Sequence, residues 1–494
     1  MNIGIDLGTT YSVAAYVDEN DNVKVIPNAE GDNSTPSVVL FEEDKSIIVG
    51  EEAKNSSFIN ADDVVIDAKS SMGKNVVLME KNGKKYTPEQ ISSFIIRKLV
   101  GDSEKAIGED VDGVVITVPA SFSDAKRKAT EDAARMAGVN LIGMINEPTA
   151  AAICYIKAHD IKNEKIMIYD LGGGTFDVTI LDVKDYSHID VLSTDGISNA
   201  GGRFFDNKIV NYVYKYIKEK YDVNLRSDGY EDDLQELIIH AEEAKISLSA
   251  KQTANIVVKT KDIKEKISIT REQFNGFIKD VYLRTEVKIE DALKLAELEK
   301  EDIDRVLMVG GSSRIPFIYD SVKSFMGKEP SNDIHPDEAV ALGAAIYCGF
   351  CENDTSNFTD VCSHSIGVVV YNGERQENEI IIPKNSQLPI SSRQKFRTMQ
   401  DRQKIIELTV TEGEDIEVEN VNELGKVTVN LPENVKKNDL VVIEINLDKK
   451  QLVNIKLELP DYDFVEDYHM KRTANLSEED VIEYTGILKD YTVR

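Results

Sequence analysis

The spacing of hydrophobic residues changes near residue 365. Up to that point, short apolar runs such as 114–118 and 166–169 alternate with stretches of helical spacing, and such runs are typical of buried strands. Beyond it, apolar and polar residues alternate with a period of two, as in 406–411 and 441–447. The two patterns predict an α/β domain followed by an antiparallel β-sandwich of about one hundred residues.

Helix signals occur in both parts of the chain. Ser123 is a predicted N-cap for a helix over 124–137, and Gly138 is its stop signal. A long helix is predicted over 231–250, and a short one begins after Ser477. The long helix should bury one apolar face, formed by Leu234, Leu237, Ile238, Ala241 and Leu248.

The chain also contains two glycine-rich turns of the same kind. Each follows an apolar run that ends in an acid and precedes a second apolar run, which predicts a β-hairpin with a bare tip. The two sequences are Asp6-Leu7-Gly8-Thr9-Thr10-Tyr11 and Asp170-Leu171-Gly172-Gly173-Gly174-Thr175-Phe176-Asp177. Glycines let backbone N–H groups approach a phosphate, and an acid beside phosphates indicates a divalent metal ion. A single hairpin of this kind could equally be an ordinary glycine-rich turn.

Because the pattern occurs twice, we expect two similar lobes that face each other across a cleft. Their hairpins could hold one polyphosphate from both sides, with Asp6 and Asp170 directed at a shared Mg²⁺. Mg²⁺ keeps most of its water ligands, so these carboxylates could act through water.

Composition narrows the classes of partner. The 494 residues are too many for one core and predict two or three domains. The formal net charge is −30, from 88 acids and 58 bases, which argues against nucleic acid or an anionic membrane as a partner.

The cysteines and the N-terminus bear on the cellular compartment. The four cysteines show no disulfide framework, and Cys348 and Cys351 are expected to be a coincidental pair on a helix rather than a redox or zinc site. The sequence shows no signal-peptide pattern and no apolar run of the ~18 residues that a membrane helix needs. We therefore expect a cytoplasmic protein.

These motifs, with the segments 64–69, 145–152 and 306–316, resemble the ATPase half of the seventy-kilodalton heat-shock chaperones (DnaK-type), within the actin and sugar-kinase superfamily. The resemblance implies a two-lobed α/β actin-like ATPase domain, then an all-β sandwich that binds peptides and a short C-terminal helix. The expected boundaries are 1–351 for the ATPase domain, 352–361 for the linker, 362–463 for the sandwich and 464–494 for a C-terminal segment with one helix, a truncated lid.

The resemblance also implies an ATP-hydrolysing site with Mg²⁺, and with K⁺ as a further candidate ion. It assigns catalysis to Lys69, Glu147, Asp170, Thr175 and Asp177, and metal binding through water to Asp6 and Asp170. It assigns the binding of ATP or ADP to Asp6, Gly8, Thr9, Thr10, Tyr11, Gly172, Gly173, Gly174, Thr175, Gly201, Gly202, Glu242, Lys245, Ser249, Gly310, Gly311, Ser312, Arg314 and Asp337. Pro119 and Arg127 match a relay between nucleotide state and peptide state.

The sequence departs from the family pattern at several positions. Ile246 replaces an arginine that stacks on adenine, and Arg203-Phe204 replaces two acids. Gly143 replaces the arginine that engages J-domain co-chaperones, which puts that partner in doubt, whereas a nucleotide exchange factor is an expected partner. In the linker run before the acid Asp360, Phe358 is the one apolar residue where the family has several leucines, so we expect weak coupling between the domains.

In the sandwich, the resemblance implies a groove for unfolded or extended polypeptides. Its predicted lining is Val368, Val370, Tyr371, Phe396, Ile406 and Leu408, although all six could instead belong to the core. Without a lid, such a groove should release peptides quickly. Two alternatives to an ATP-dependent chaperone stay open at this point: a nucleotide-gated scaffold without efficient cycling and a small-molecule kinase of the same superfamily.

Overall fold

The computed structural model describes residues 1–494 except 44, 58–59, 186–187, 262, 332–334, 336, 354–356, 372, 374, 469 and 473–474. Part of the expected linker, residues 354–356, therefore lies outside the described residues.

The first lobe contains a main sheet, a smaller sheet and a two-stranded sheet formed by β8 and β9. Its main sheet has the order β11–β10–β1–β2–β3, with β4 beside β2, and the smaller sheet contains β6–β5–β7. The strands are β1 (Asn2–Asp6), β2 (Tyr11–Val17), β3 (Val23–Ile26), β4 (Thr35–Pro36), β5 (Val38–Phe41), β6 (Ser46–Val49), β7 (Val64–Ile66), β8 (Met79–Lys81), β9 (Lys84–Tyr86), β10 (Gly113–Val118) and β11 (Leu141–Asn146). The helices are α1 (Glu51–Ser56), α2 (Pro88–Ile107) and α3 (Asp124–Ala137). The hydroxyl of Ser123 accepts the Lys126 N–H at the start of α3, so the predicted N-cap is confirmed.

The second lobe repeats the strand–hairpin–strand arrangement. Its sheet has the order β17–β12–β13–β14–β18, and β15 pairs with β16. The strands are β12 (Glu164–Leu171), β13 (Phe176–Asp185), β14 (His188–Ile197), β15 (Thr253–Lys259), β16 (Lys264–Thr270), β17 (Arg305–Val309) and β18 (Asn357–Thr359). The helices are α4 (Glu147–His159), α5 (Gly202–Tyr221), α6 (Glu231–Ala250), α7 (Arg271–Leu295) and α8 (Pro316–Met326). The last helix of the ATPase domain, α9 (Ala339–Asn353), packs against α4 and against β1, β2 and β10 of the first lobe. The helix over 231–250 has the predicted bounds, but Ile238 is exposed and Ile239 is buried in its place.

The described part of the linker is ordered against the second lobe. Helix α9 continues to Asn353, and β18 then pairs in parallel with β14, with Phe358 opposite Ile189. The Phe358 ring also packs against Tyr347 of α9 at 5.7 Å between ring centroids. Phe358 of the linker is therefore docked on the ATPase domain.

The residues after the linker form a sandwich of two antiparallel sheets. One sheet has the order β20–β19–β22–β23–β27 and the other β21–β24–β25–β26. The strands are β19 (Ile366–Tyr371), β20 (Gln376–Ile382), β21 (Ile390–Arg397), β22 (Ile405–Glu412), β23 (Asn422–Asn430), β24 (Leu440–Leu447), β25 (Val453–Leu459), β26 (Phe464–Tyr468) and β27 (Lys471–Arg472). The alternating apolar residues meet in one core between the sheets. Strand pairing continues past residue 463, because β26 pairs with β25 and β27 with β23.

The C-terminal segment returns to the first lobe. It consists of α10 (Glu478–Leu488) and β28 (Thr492–Val493), and β28 pairs in parallel with β6. Val481, Leu488 and Tyr491 are buried in the first-lobe core. The helix therefore packs on the ATPase domain, whereas a lid over the groove would lie on the sandwich. Within the described residues, no helix combines the length and the apolar character needed to cross a membrane.

Candidate functional site

The two glycine hairpins face each other across the cleft between the lobes. A Cβ atom on Gly173 would lie 2.6 Å from the Thr10 hydroxyl oxygen, and one on Gly174 would lie 3.3 Å from that of Thr9. At Gly8, a Cβ would lie 1.9 Å from the Tyr11 carbonyl oxygen, so no other residue fits this turn. The predicted phosphate-binding residues of the two lobes are thus brought together.

An acid stands beside each hairpin because β1 and β12 end there. Burial raises the pKa of Asp6 to about 7, with the nearby Glu147 as the next cause, and Thr117 donates a hydrogen bond to this carboxylate at 3.0 Å. The pKa of Asp170 is also raised well above its usual range, first by burial and then by Glu147 and Asp177. Buried acids that oppose one another's ionisation tend to take up protons unless a cation offsets their charge.

Asp177 lies opposite Asp170 in the β12–β13 hairpin and is fully buried. Burial raises its pKa to about 6, although one carboxylate oxygen accepts the Ser121 N–H at 2.8 Å. Among the described residues, the other oxygen, Oδ2, has no hydrogen-bond partner. A buried carboxylate oxygen without a donor costs free energy unless a cation or a donor from a ligand reaches it.

Lys69 is the cation that faces these acids. It lies on a short 3₁₀ turn, Ala68–Ser71, which begins directly after Asp67. Its ammonium group is 2.5 Å from a carboxylate oxygen of Glu147, the first residue of α4. One lysine among four carboxylates leaves the cleft with excess negative charge, which fits a divalent cation. In the described part of the chain, no group of three or more His, Cys, Asp or Glu side chains surrounds a metal position.

Two more glycine turns and α6 lie beside the phosphate hairpins, in the region predicted to bind the nucleoside. Gly201 and Gly310 both have positive φ, 121° and 78°, and their missing Cβ atoms leave room for the Gly172 and Leu171 carbonyls. The Ser312 hydroxyl donates to the Gly172 carbonyl at 2.8 Å, which ties this turn to the phosphate hairpin.

The predicted adenosine-contacting side chains line the same region. On α6, Lys245 pairs with Asp206 at 2.8 Å, and Glu242 pairs with Lys54 of the first lobe at 3.3 Å. Arg314 pairs with Asp337 at 2.7 Å. Ile246 is 60% exposed, so an aliphatic surface stands where the family has an arginine.

The predicted groove residues of the sandwich do not share one environment. Val368 and Leu408 are buried in its core, and Val370, Phe396 and Ile406 are half-buried against that core. Tyr371 is 58% exposed. Their role in peptide binding stays a prediction.

No pattern in the sequence predicted the interface between the sandwich and the ATPase domain. The carboxylate of Asp124 accepts two hydrogen bonds from Arg472, at 2.5 and 2.9 Å, and Lys384 pairs with Asp195 at 2.7 Å. These partners are far apart in the chain and belong to no short motif. Arg127, singled out as a relay residue, is 2% exposed at this interface and donates to Asn146 at 2.8 Å.

The fold and the cleft define a class: a two-lobed, actin-like ATPase domain with a β-sandwich docked on it. A family model described as "Hsp70 protein" matches residues 2–78 and 73–486. The chain is 40% identical over 424 residues to the chaperone protein DnaK of Thermosipho melanesiensis. The matched region covers 83% of this chain and 70% of that protein. It is 38% identical over 425 residues to the DnaK of Thermotoga maritima, with the same coverage. The chain belongs to the Hsp70 family of ATP-dependent chaperones.

Proposed function

We propose that this protein binds exposed apolar segments of unfolded polypeptides and couples that binding to Mg²⁺-dependent hydrolysis of ATP in the cleft. The observation that carries the proposal is the pair of acid–glycine hairpins that face each other, with the Lys69–Glu147 pair between them. Two hairpins with bare tips suit a triphosphate held from both sides.

The proposed reaction is in-line attack of water on the γ-phosphate. Backbone N–H groups of the hairpins and the hydroxyls of Thr9, Thr10 and Thr175 would hold the phosphates, and Lys69 would neutralise charge that develops on the γ-phosphate. Glu147 and Asp177 would orient the attacking water and accept its proton. A Mg²⁺ ion, held through water by Asp6 and Asp170, would supply further neutralisation of phosphate charge when bound.

Coupling to the sandwich would run through the start of α4. The Asn146 side chain donates to Asp360, at the end of the linker, at 2.9 Å and accepts from Arg127, and the next residue is Glu147. Movement of Asp360 with the sandwich would therefore bear directly on a catalytic carboxylate. The docked linker strand supports this coupling, and no observation favours the scaffold or kinase alternatives.

Finer features belong to the same proposal. The groove would hold an extended segment through Tyr371, Phe396 and Ile406, and a nucleotide exchange factor would act on the cleft. Engagement of a J-domain remains in doubt, because Gly143 is buried against Cys351 and Tyr347. A cytoplasmic location belongs to the same proposal.

The experiment is turnover by a Lys69→Ala variant. Loss of one preorganised charge should lower the ATP hydrolysis rate about 10²-fold or more, while ATP affinity stays within a few-fold of wild type. Lys74→Ala is the matched control, because Lys74 is an exposed lysine five positions along the chain. Equal turnover in the Lys69 variant and the wild type would refute the site.

A further inference from the structure

An ion pair joins the two lobes beside the phosphate hairpins. The Arg203 guanidinium, in the first turn of α5, contacts the carboxylate of Asp67, which directly follows β7. Phe205 of α5 packs in the core of the second lobe, and Ala68, next to Asp67, packs in the core of the first. The contact therefore spans the cleft.

Both partners are attached to the parts of the site that would touch phosphate. The Arg203 backbone N–H donates to the Gly173 carbonyl at 2.9 Å, at the tip of the second hairpin. Asp67 accepts the Ser70 hydroxyl at 2.5 Å and begins the turn that carries Lys69. A single ion pair thus links the hairpin of one lobe to the lysine turn of the other.

The surrounding charges favour this pairing. Asp206 and Glu242 lie near Arg203, but each already has a lysine partner, Lys245 and Lys54 respectively. The side chain of Arg203 is 36% exposed and that of Asp67 is 15% exposed, so the pair is partly shielded from water. The acid that the family resemblance implies at position 203 would instead repel Asp67, so the pair is a property of this chain.

We propose that Arg203 and Asp67 form a clasp that holds the cleft closed over bound nucleotide and slows its release. Release requires the lobes to separate, and separation breaks the ion pair. Arg203 would act as a positioning residue, because it holds the Lys69 turn against the hairpin without itself contacting the nucleotide. The proposal rests on the nucleotide site described above.

The test uses Arg203→Gln in the full chain and measures release of fluorescent ADP and of fluorescent ATP by stopped flow. Loss of a partly buried ion pair should speed the release of both nucleotides about threefold to tenfold. Arg203→Lys should recover part of the slow release, because it keeps the charge. Lys208→Gln is the matched control: Lys208 lies on the same helix and pairs with Asp280 inside the second lobe at 2.8 Å, so its loss should leave release unchanged.

Salt gives a second readout. Release from the wild type should accelerate as ionic strength rises, since exposed parts of the pair are screened, and Arg203→Gln should show a weaker dependence, because the Lys54–Glu242 pair still joins the lobes in this region. Unchanged release in Arg203→Gln would overturn the clasp, and so would faster release of ATP alone, which would make Arg203 a γ-phosphate ligand. Failure of the wild type to bind either nucleotide would refute the proposed function itself, a result distinct from both.

Discussion

At the scale of residues, the cleft holds more negative charge than burial tolerates in the absence of a cation. Asp170 and Asp177 are buried and Asp6 is half-buried, and each has a raised pKa for the same first reason, the loss of water around the charged form. Such a site is destabilising in the nucleotide-free, metal-free protein and is relieved by its ligands. Function is therefore built at the expense of stability.

We predict that Asp177→Asn stabilises the protein at pH 8 in EDTA and without nucleotide. A rise in pKa from 3.8 to about 6 corresponds to about 3 kcal/mol of cost for the buried charge at that pH. In the wild type, the stability that protonated Asp177 contributes is fully present below pH 4 and is lost as pH rises through 6. Asp177→Asn should therefore raise the melting temperature by a few degrees at pH 8, and by about half as much at pH 5.

The Asn side chain can still accept the Ser121 N–H, so the hydrogen bond is kept. Asp182→Asn, farther along β13, is the control and should change the melting temperature little. An equal gain at both pH values, or a loss at pH 8, would contradict the assigned cause.

A residue's role could be predicted from the sequence where the signal for it lies within a few neighbouring residues. The Ser123 cap and both hairpins are encoded within a few neighbouring residues, so the sequence was sufficient for them. Lys69 and Glu147 came only from the resemblance, because neither residue has a local signature. The Arg203–Asp67 pair could not be found, since it depends on how the lobes are placed.

At the scale of elements, tertiary contacts determine which face of a helix is buried, which segment becomes a strand and where an element packs. The bounds of α6 were predicted, but its buried face is turned so that Ile239 and not Ile238 is covered. The linker gave no strand signal, yet backbone pairing with β14 makes it β18. The helix after Ser477 was predicted, whereas its position on the first lobe was not.

We predict that the C-terminal helix is held by Leu488. This side chain is fully buried in the first-lobe core, and replacing a buried leucine by alanine costs about 2–5 kcal/mol. Leu488→Ala should therefore raise amide hydrogen exchange in α10 and β28 by about 30-fold or more.

Ile482→Ala is the matched control on the same helix, because Ile482 is 62% exposed. Its exchange should stay close to wild type. Equal protection in the two variants would mean that the packing of α10 does not hold the segment.

At the scale of the whole molecule, several connections join the sandwich side of the chain to the ATPase domain, among them the Lys384–Asp195 ion pair. The linker strand adds to the second-lobe sheet, Asp124 and Arg472 join the sandwich to α3, and α10 with β28 covers the first lobe. Binding in the sandwich can affect the cleft only through differences in these contacts. We therefore expect substantial coupling between the sandwich and the ATP cleft, in contrast to the weak coupling expected from the linker sequence alone.

The most direct test of the central claim is steady-state ATP turnover with and without a reduced, permanently unfolded polypeptide. The wild type should hydrolyse ATP several-fold faster with the polypeptide, because its binding would shift the docked contacts that reach Glu147 through Asn146. Phe358→Ser should keep the basal rate and lose most of the stimulation, since Phe358 docks the linker without touching the cleft. The same turnover with and without polypeptide in the wild type would contradict the account.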